Sequence, residues 1–439
     1  MKRVLVLGAG MVTRPIVRHL LDKGYEVVVA SRTVSKAQAL IQGHPGGKAA
    51  ALEVSDEQKL ESFIAQCDLA VSLLPYAHHP VVAKLCIKHR KHMVTTSYVS
   101  AAMQELDGAA KQAGVTVLNE IGVDPGIDHM SAMRIIDAVR RKGGKIVAFK
   151  SYCGGLPAPE ANDNPFGYKF SWAPRGVLLA GRNNAQYLLD GRHVTIPSER
   201  LFRDMHVLQV EGQGDYEAYP NRDSISYIDV YGLQGIQTMF RGTLRNMGWC
   251  DTLYCVGKLG LLSLDETDVK GRTYAQFMRA LLGCGAQDEL RVVTAKKLGI
   301  PADALPAWNL HWLGMFSDLP FKVDRICPLD ALGDRMYEKL AYRPGERDMI
   351  VLYHDFRAQY PDGKRERIVS SLIDHGIPGG DSSMSRTVSL PAAIGVDLIL
   401  QGKITAPGVL RPVTADIYDP VLDELAGLDI VCRERTETF

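Results

Sequence analysis

Paired cysteine spacing is missing from this 439-residue chain. Cys67, Cys86, Cys153, Cys250, Cys255, Cys284, Cys327 and Cys432 are scattered. They form no Cys-x-x-Cys pair, and no histidine stands at zinc-ligand spacing from such a pair. A disulfide scaffold and a structural zinc site are therefore not expected. Sparse unpaired thiols suit a reducing compartment, which makes the cytoplasm the expected location. Missing as well is any run of about 18 apolar residues, so no membrane-spanning helix is predicted. Met1-Lys2-Arg3 followed by Val4 to Leu7 imitates a short signal peptide, but Gly8, Gly10 and Arg14 interrupt it before any small-residue cleavage site. Charge of one sign is not in excess: 51 Lys and Arg stand against 50 Asp and Glu, a net charge of +1. Without a basic surplus to neutralise phosphates, general nucleic-acid binding has no electrostatic footprint. Nor is there an acidic tail to suggest a solvated, chaperone-like segment.

What is present is an ordinary globular mix, 46% hydrophobic and 23% charged residues, at a length that suggests about three domains. In the first 125 residues short β-branched runs alternate with amphipathic ones. Arg3–Leu7 reads as a buried strand and Met11–Lys23 as a helix with Ile16, Leu20 and Leu21 on one face. Glu26–Ala30 is a second strand and Ser35–Gln42 a helix; Leu69–Leu74 and Met93–Thr96 are strands flanking a helical His79–His89, and Val115–Asn119 closes the set. Parallel strands need crossover helices, so the alternation predicts an α/β domain over 1–125, a Rossmann-like doubly wound parallel sheet. From 126 to 245 the pattern changes to period-2 stretches, Lys145–Tyr152 and His206–Val210, among Gly- and Pro-rich turns. Strand signals return at Asp348–His354 and Glu366–Ile373. Together 126–245 and 341–392 predict an α+β substrate or dimerisation domain. Helical spacing over Leu253–Leu262, Tyr274–Leu282, Asp288–Leu298 and Leu329–Leu340 makes 246–340 a helical insertion. Ser385–Gly402 reads as a helix despite Pro391. The tail after Pro407 is expected to pack back, with 393–439 completing the first domain.

Gly8-Ala9-Gly10-Met11-Val12 follows a strand and opens a helix, the setting a dinucleotide fingerprint requires. Gly8 supplies the tight turn and Gly10 allows close approach of a pyrophosphate to the helix amides. Thr13 stands where the fingerprint has its third glycine. The second strand ends in Ala30-Ser31-Arg32-Thr33, without the acid that would take a ribose hydroxyl in an NAD site. Ser31 and Thr33 can donate to a phosphate and Arg32 can pair with it, so NADP is the expected cofactor; an exposed turn arginine is the plain alternative. Thr95-Thr96-Ser97-Tyr98 and Asn119–Gly126, which carries Asp124, follow later strands at the carboxyl edge, where open α/β sheets bind ligands.

The polar segments resemble one family. Thr13-Arg14-Pro15, Thr95–Ser100 (TTSYVS), Asn119–His129 (NEIGVDPGIDH), Ser151–Arg175 (SYCGGLPAPEANDNPFGYKFSWAPR), Tyr219–Asp223 (YPNRD) and Arg241–Arg245 (RGTLR) are similar to saccharopine reductase, the NADP-dependent, glutamate-forming saccharopine dehydrogenase. The resemblance spans essentially the whole chain, down to Gly345-Glu346-Arg347-Asp348. The long SYCGG block is highly specific. The helical block and Asp204–Glu217 look less like the fungal members.

The resemblance implies a reversible reaction in which aminoadipate semialdehyde, glutamate and NADPH give saccharopine, within lysine metabolism. It implies cofactor contacts from Gly8, Gly10, Met11 and Val12, from Ser31, Arg32 and Thr33, from Ser72, Leu73 and Leu74, and from Thr96, Ser97, Val123 and Asp124. It implies substrate contacts from Ser97, Tyr98, Asp124, Arg222, Thr243, Leu244 and Arg245. Saccharopine carries three carboxylates, and a guanidinium binds a carboxylate bidentately, which suits Arg222 and Arg245; surface ion pairs are the plain reading of both. Asp124 can meet a substrate amine. Tyr98 and Cys153 are similar to residues beside the reacting carbon, though with reference pKa values near 10 and 8.5 neither is a comfortable base at neutral pH. Cys153 also fits as a small packing residue. No metal is expected, and a homodimer is the expected assembly. Two alternatives stay open: a carboxynorspermidine-type NADPH imine reductase, and a non-catalytic NADP-sensing regulator.

Overall fold

Val4–Leu7 is almost completely shielded from solvent and forms the middle of a parallel sheet. A parallel strand covered on both faces needs apolar residues throughout its buried part, which VLVL supplies after the half-buried Arg3. The computed structural model describes residues 1–439. It divides into two units, residues 1–146 with 358–439, and residues 147–357.

In the first unit β1 (Arg3–Leu7), β2 (Glu26–Ser31), β3 (Gly47–Ala51), β4 (Leu69–Ser72), β5 (His92–Val94) and β6 (Thr116–Leu118) run parallel. A late strand, Gly408–Leu410, pairs in parallel with β6. The order is Gly408–Leu410, β6, β5, β4, β1, β2, β3, so the winding reverses between β1 and β4. Helices α1 (Arg14–Asp22), α2 (Val34–Ile41), α3 (Glu57–Ala65) and α4 (His79–Lys88) supply crossovers. β3 and α3 escaped the sequence reading. β3 is a sheet-edge strand of small residues (GKAAA) without a β-branched signal, and α3 is set by Asp56, whose carboxylate accepts the Lys59 N–H at 3.0 Å. α1 starts at Arg14 rather than Met11. The Gly10 N–H donates to Thr13 Oγ1 and the Thr13 N–H to the Gly10 carbonyl, so residues 10–13 form a turn. The helices Ile127–Arg141 and Ser383–Leu400 also belong to this unit, the second accommodating Pro391 within a nearly all-buried span.

The second unit is built on a mixed sheet. β7 (Lys145–Pro157), β8 (Ala185–Leu189), β9 (Arg192–Ile196), β10 (His206–Val210), β11 (Gly214–Pro220) and β12 (Thr238–Arg245) precede a helical stretch. The order there is β10, β11, β12, β7 and the strand Asp348–Gln359; β12 and β7 are parallel, β10–β11 and β11–β12 antiparallel. Five helices of eight or more residues follow β12, from Trp249–Lys258 to Pro328–Lys339. Tyr274–Leu282 begins where its spacing predicts because Thr273 and Gln276 form a reciprocal capping box.

No helix of the chain is long and apolar enough to cross a membrane.

Candidate active site

The carboxyl ends of β1 and β4 meet at the point where the winding reverses. Gly8 has φ +111°, and a Cβ there would stand 3.0 Å from the Leu73 carbonyl oxygen. Glycine is needed for both reasons. A Cβ at Gly10 would meet no protein atom within 4 Å, and the first turn of α1 carries no acid. The space beside Gly10 and the positive end of α1 therefore suit a pyrophosphate. Met11 is exposed and Val12 half-buried, and the Val12 carbonyl accepts a bond from the Ser389 hydroxyl. Arg14, which the family resemblance includes, is taken by Asp381 at 2.7 Å. At the end of β2, Ser31 Oγ accepts the Thr33 N–H at 3.3 Å, while Arg32 lies exposed with no ion pair. Such an arginine fits a phosphate beside the second strand.

Beyond β4 and β5 the polar side chains interlock. Ser72 Oγ lies 2.9 Å from His79 Nδ1, and His79 Nε2 lies 2.8 Å from Ser97 Oγ and 3.4 Å from Thr95 Oγ1. Burial, helped by the neighbouring His78, lowers the His79 pKa to about 4, so the ring is neutral near pH 7. A neutral imidazole has one donor and one acceptor, and it joins one strand end to the next. His79 escaped the sequence reading, since a helix-start histidine carries no signal of its own. Leu73 and Leu74 fall beyond β4 and are half-buried; Thr96, also half-buried, lies against Gly122, where an added Cβ would be 3.2 Å from its Cβ.

Tyr98 donates its hydroxyl to Asp124 Oδ1 at 2.9 Å, which brings together the two loops that the sequence placed at this edge. Val123 beside Asp124 is buried. Glu120, also missed, is buried in the same segment and pairs with His129 and Arg411, both at 2.9 Å.

The second unit carries the remaining candidates. Register sets Thr243 opposite Cys153 on β7 and opposite Tyr219 on β11. Cys153 is buried and in no disulfide. Leu244 is fully buried, and its carbonyl accepts the Arg245 guanidinium, so it lies behind Arg245. Arg222 is exposed, in a left-handed conformation with φ +53°. Arg245 is 6% exposed; its guanidinium lies over the rings of Tyr168 and Trp249, at 5.0 and 5.5 Å. Its Nη1 donates to the Leu244 carbonyl, yet its Nε has no acceptor, and neither has the buried Trp249 Nε1. The facing residue on β11, Glu217, accepts the amides of Gly248 and Cys250 at 2.8 and 2.7 Å, so its carboxylate caps the helix Trp249–Lys258 instead. Trp249 gave no sequence signal, because its partner group is defined only by the fold.

Two family models account for nearly all of the chain. One described as the saccharopine dehydrogenase NADP binding domain matches residues 4–118, and one described as the saccharopine dehydrogenase C-terminal domain matches residues 122–430. A saccharopine dehydrogenase [NADP(+), L-glutamate-forming] of Schizosaccharomyces pombe is 41% identical over 447 residues, 99% of each chain. The mitochondrial alpha-aminoadipic semialdehyde synthase of Bos taurus is 39% identical over 442 residues, 98% of this chain and 47% of that one. The solved apo saccharopine dehydrogenase (L-Glu forming) from Saccharomyces cerevisiae superposes over the full length of both chains at 40% identity, with a TM-score of 0.90. With the glycine turn, the acid-free end of β2 and full-length agreement in sequence and fold, the chain belongs to the saccharopine dehydrogenase family and uses NADP.

Proposed function

We propose that the chain is an NADP-dependent, L-glutamate-forming saccharopine dehydrogenase acting in lysine metabolism. In the reductive direction glutamate's amine condenses with the aldehyde of L-2-aminoadipate 6-semialdehyde, releasing water, and the resulting imine takes a hydride and a proton to become saccharopine's secondary amine. A bound NADPH would supply that hydride. Gly8, Gly10, Met11 and Val12 would hold its pyrophosphate, Ser31, Arg32 and Thr33 its ribose phosphate, and Ser72, Leu73, Leu74, Thr96, Ser97 and Val123 would line its nicotinamide half.

Asp124 meets the substrate amine, and Tyr98 offers its hydroxyl to the substrate from its place beside Asp124. Cys153 shapes the pocket wall, and a water or the substrate's own amine moves the proton. Arg222, Arg245 and Thr243 take carboxylates, with Leu244 supporting Arg245 from behind. The observation that carries this reading is Arg245: a buried guanidinium between two aromatic faces, with an unmatched Nε and no carboxylate partner. A buried cation without a counter-charge is costly, and a substrate carboxylate offsets that cost. Saccharopine's three carboxylates can serve Arg222 as well as Arg245, whereas a diamine with aspartate semialdehyde brings only one carboxylate, which counts against a carboxynorspermidine-type reductase.

The working form is a cytoplasmic homodimer. None of the eight cysteines is in a disulfide, which supports a reducing compartment. Exposed Trp308, Leu319, Val323 and Tyr337 in the helical stretch support a subunit contact, which light scattering would test. The activity is tested by NADPH oxidation with glutamate plus aminoadipate semialdehyde, against aspartate semialdehyde plus a diamine. Turnover with the second pair alone would overturn the reading, and turnover with neither would favour a sensing role.

A further inference from the structure

Tyr98 lies between two residues that a single acid holds. The Glu120 N–H donates to the Ser97 carbonyl at 3.1 Å, and Glu120 Oε1 accepts the Val99 N–H at 2.9 Å. The residue before Tyr98 and the residue after it are thus pinned by the backbone and side chain of one position. Glu120 is 1% exposed and has φ +56°, a left-handed conformation uncommon outside glycine. Its Oε2 faces His129 Nε2 and its Oε1 also accepts Arg411 Nε, both at 2.9 Å. His129 Nδ1 is 3.6 Å from Asp128 Oδ2, and Asp128 Oδ1 accepts the Gly126 N–H at 2.5 Å. The turn that follows Asp124 is therefore tied into the same cluster.

The Val99 N–H and Arg411 Nε both donate to Oε1, and His129 Nε2 faces Oε2, a setting that favours the anion. Burial by itself would raise its pKa, but the His129 bond and charge and the Arg411 charge lower it to about 2. A glutamine here would keep one acceptor and turn an amide N–H₂ towards another donor.

We infer that Glu120 is the positioning residue of the site: it holds Tyr98 at hydrogen-bond distance from Asp124 and sets the rate without touching substrate. This rests on Tyr98 facing the substrate, as proposed above. Small misplacements of reacting groups cost about a hundredfold, so removing this anchor should be visible in turnover.

The test is a double-mutant cycle on the full-length enzyme with Glu120→Gln, Tyr98→Phe and the pair, each checked for fold by circular dichroism and thermal melting. Glu120→Gln should lower kcat about ten- to hundredfold with the NADPH KM held within about threefold. The double variant should be no slower than the slower single one, because the anchor has nothing left to align. If Glu120→Gln does not fold, Arg411→Gln replaces it in the cycle, with a several-fold loss expected and the same non-additivity. Losses that multiply in the double variant would overturn the inference and leave the role of Tyr98 standing. A silent Tyr98→Phe would overturn the role of Tyr98 itself, and this inference with it.

Discussion

Around Tyr98 the protein supplies a partner for each side chain of the cluster: Ser72 and Ser97 share His79, Tyr98 reaches Asp124, and Glu120 holds Arg411 and His129. Around Arg245 it does the opposite, leaving Arg245 Nε and Trp249 Nε1 buried without acceptors while the facing Glu217 is committed to a helix cap. The first arrangement is satisfied before any ligand arrives, so it contributes to stability and holds geometry. The second is a cost in the folded protein that a bound anion offsets. Residues of the first cluster should therefore answer in stability and turnover, and those of the second in substrate affinity.

The largest effect is expected from acid. Burial depresses the folded-state pKa of His79 to about 4, from an ordinary value of 6.5. Between those values the unfolded chain binds a proton that the folded chain refuses, so stability rises with pH across the window and is lost as pH falls from about 6.5 to about 4. At about 1.4 kcal/mol per tenfold change, the loss from this one group approaches roughly 3 kcal/mol. Urea midpoints between pH 7 and pH 4.5 should show that slope in the wild type, with a shallower one in His79→Gln. Parallel slopes would remove His79 from the satisfied cluster.

Arg245→Lys should raise the saccharopine KM roughly ten- to hundredfold, since the loss of a charged fork is worth about 1.5–3 kcal/mol, and leave the NADPH KM alone. The sharper version is Arg245→Met, which should weaken saccharopine at least as much without lowering the melting temperature. A Met variant with native substrate affinity, or one that loses stability, would erase the contrast between the two regions.

Arg32→Asp carries the comparison to the cofactor end. Exposed and without an ion pair, Arg32 stands ready for a phosphate, so the variant should raise the NADPH KM about tenfold and improve NADH use relative to it. Unchanged constants for both cofactors would take it out of the site.

The smallest effect is predicted for Cys153→Ser. A side chain that only shapes the pocket should cost less than about threefold in kcat and leave the pH profile intact, whereas an essential acid or base would cost about a hundredfold or more. The pH–rate profile of the variant decides between them.

Local signals were legible in the sequence because their causes are local. Val4–Leu7 is apolar at every position because both faces of its strand are covered; Tyr274–Leu282 starts at a capping box that its own residues form; and Gly8 followed by Gly10 marks a turn between strand and helix. The end of β2 without an acid pointed to NADP for the same reason. The quoted motifs also brought Tyr98 and Asp124 to one edge, as the structure does. Elements without a periodic or β-branched signature, such as the alanine-rich β3, went unseen, and α1 began three residues late because Thr13 turns its hydroxyl back to Gly10. Tertiary structure alone decided which polar groups are satisfied. Arg411 reaches Glu120 across 291 positions, His79 joins Ser72 and Ser97 on separate strand ends, and Glu217 turns away from Arg245 to cap a helix. A residue's type is written in the sequence, but whether its charge is buried, and beside what, depends on segments that only folding brings together.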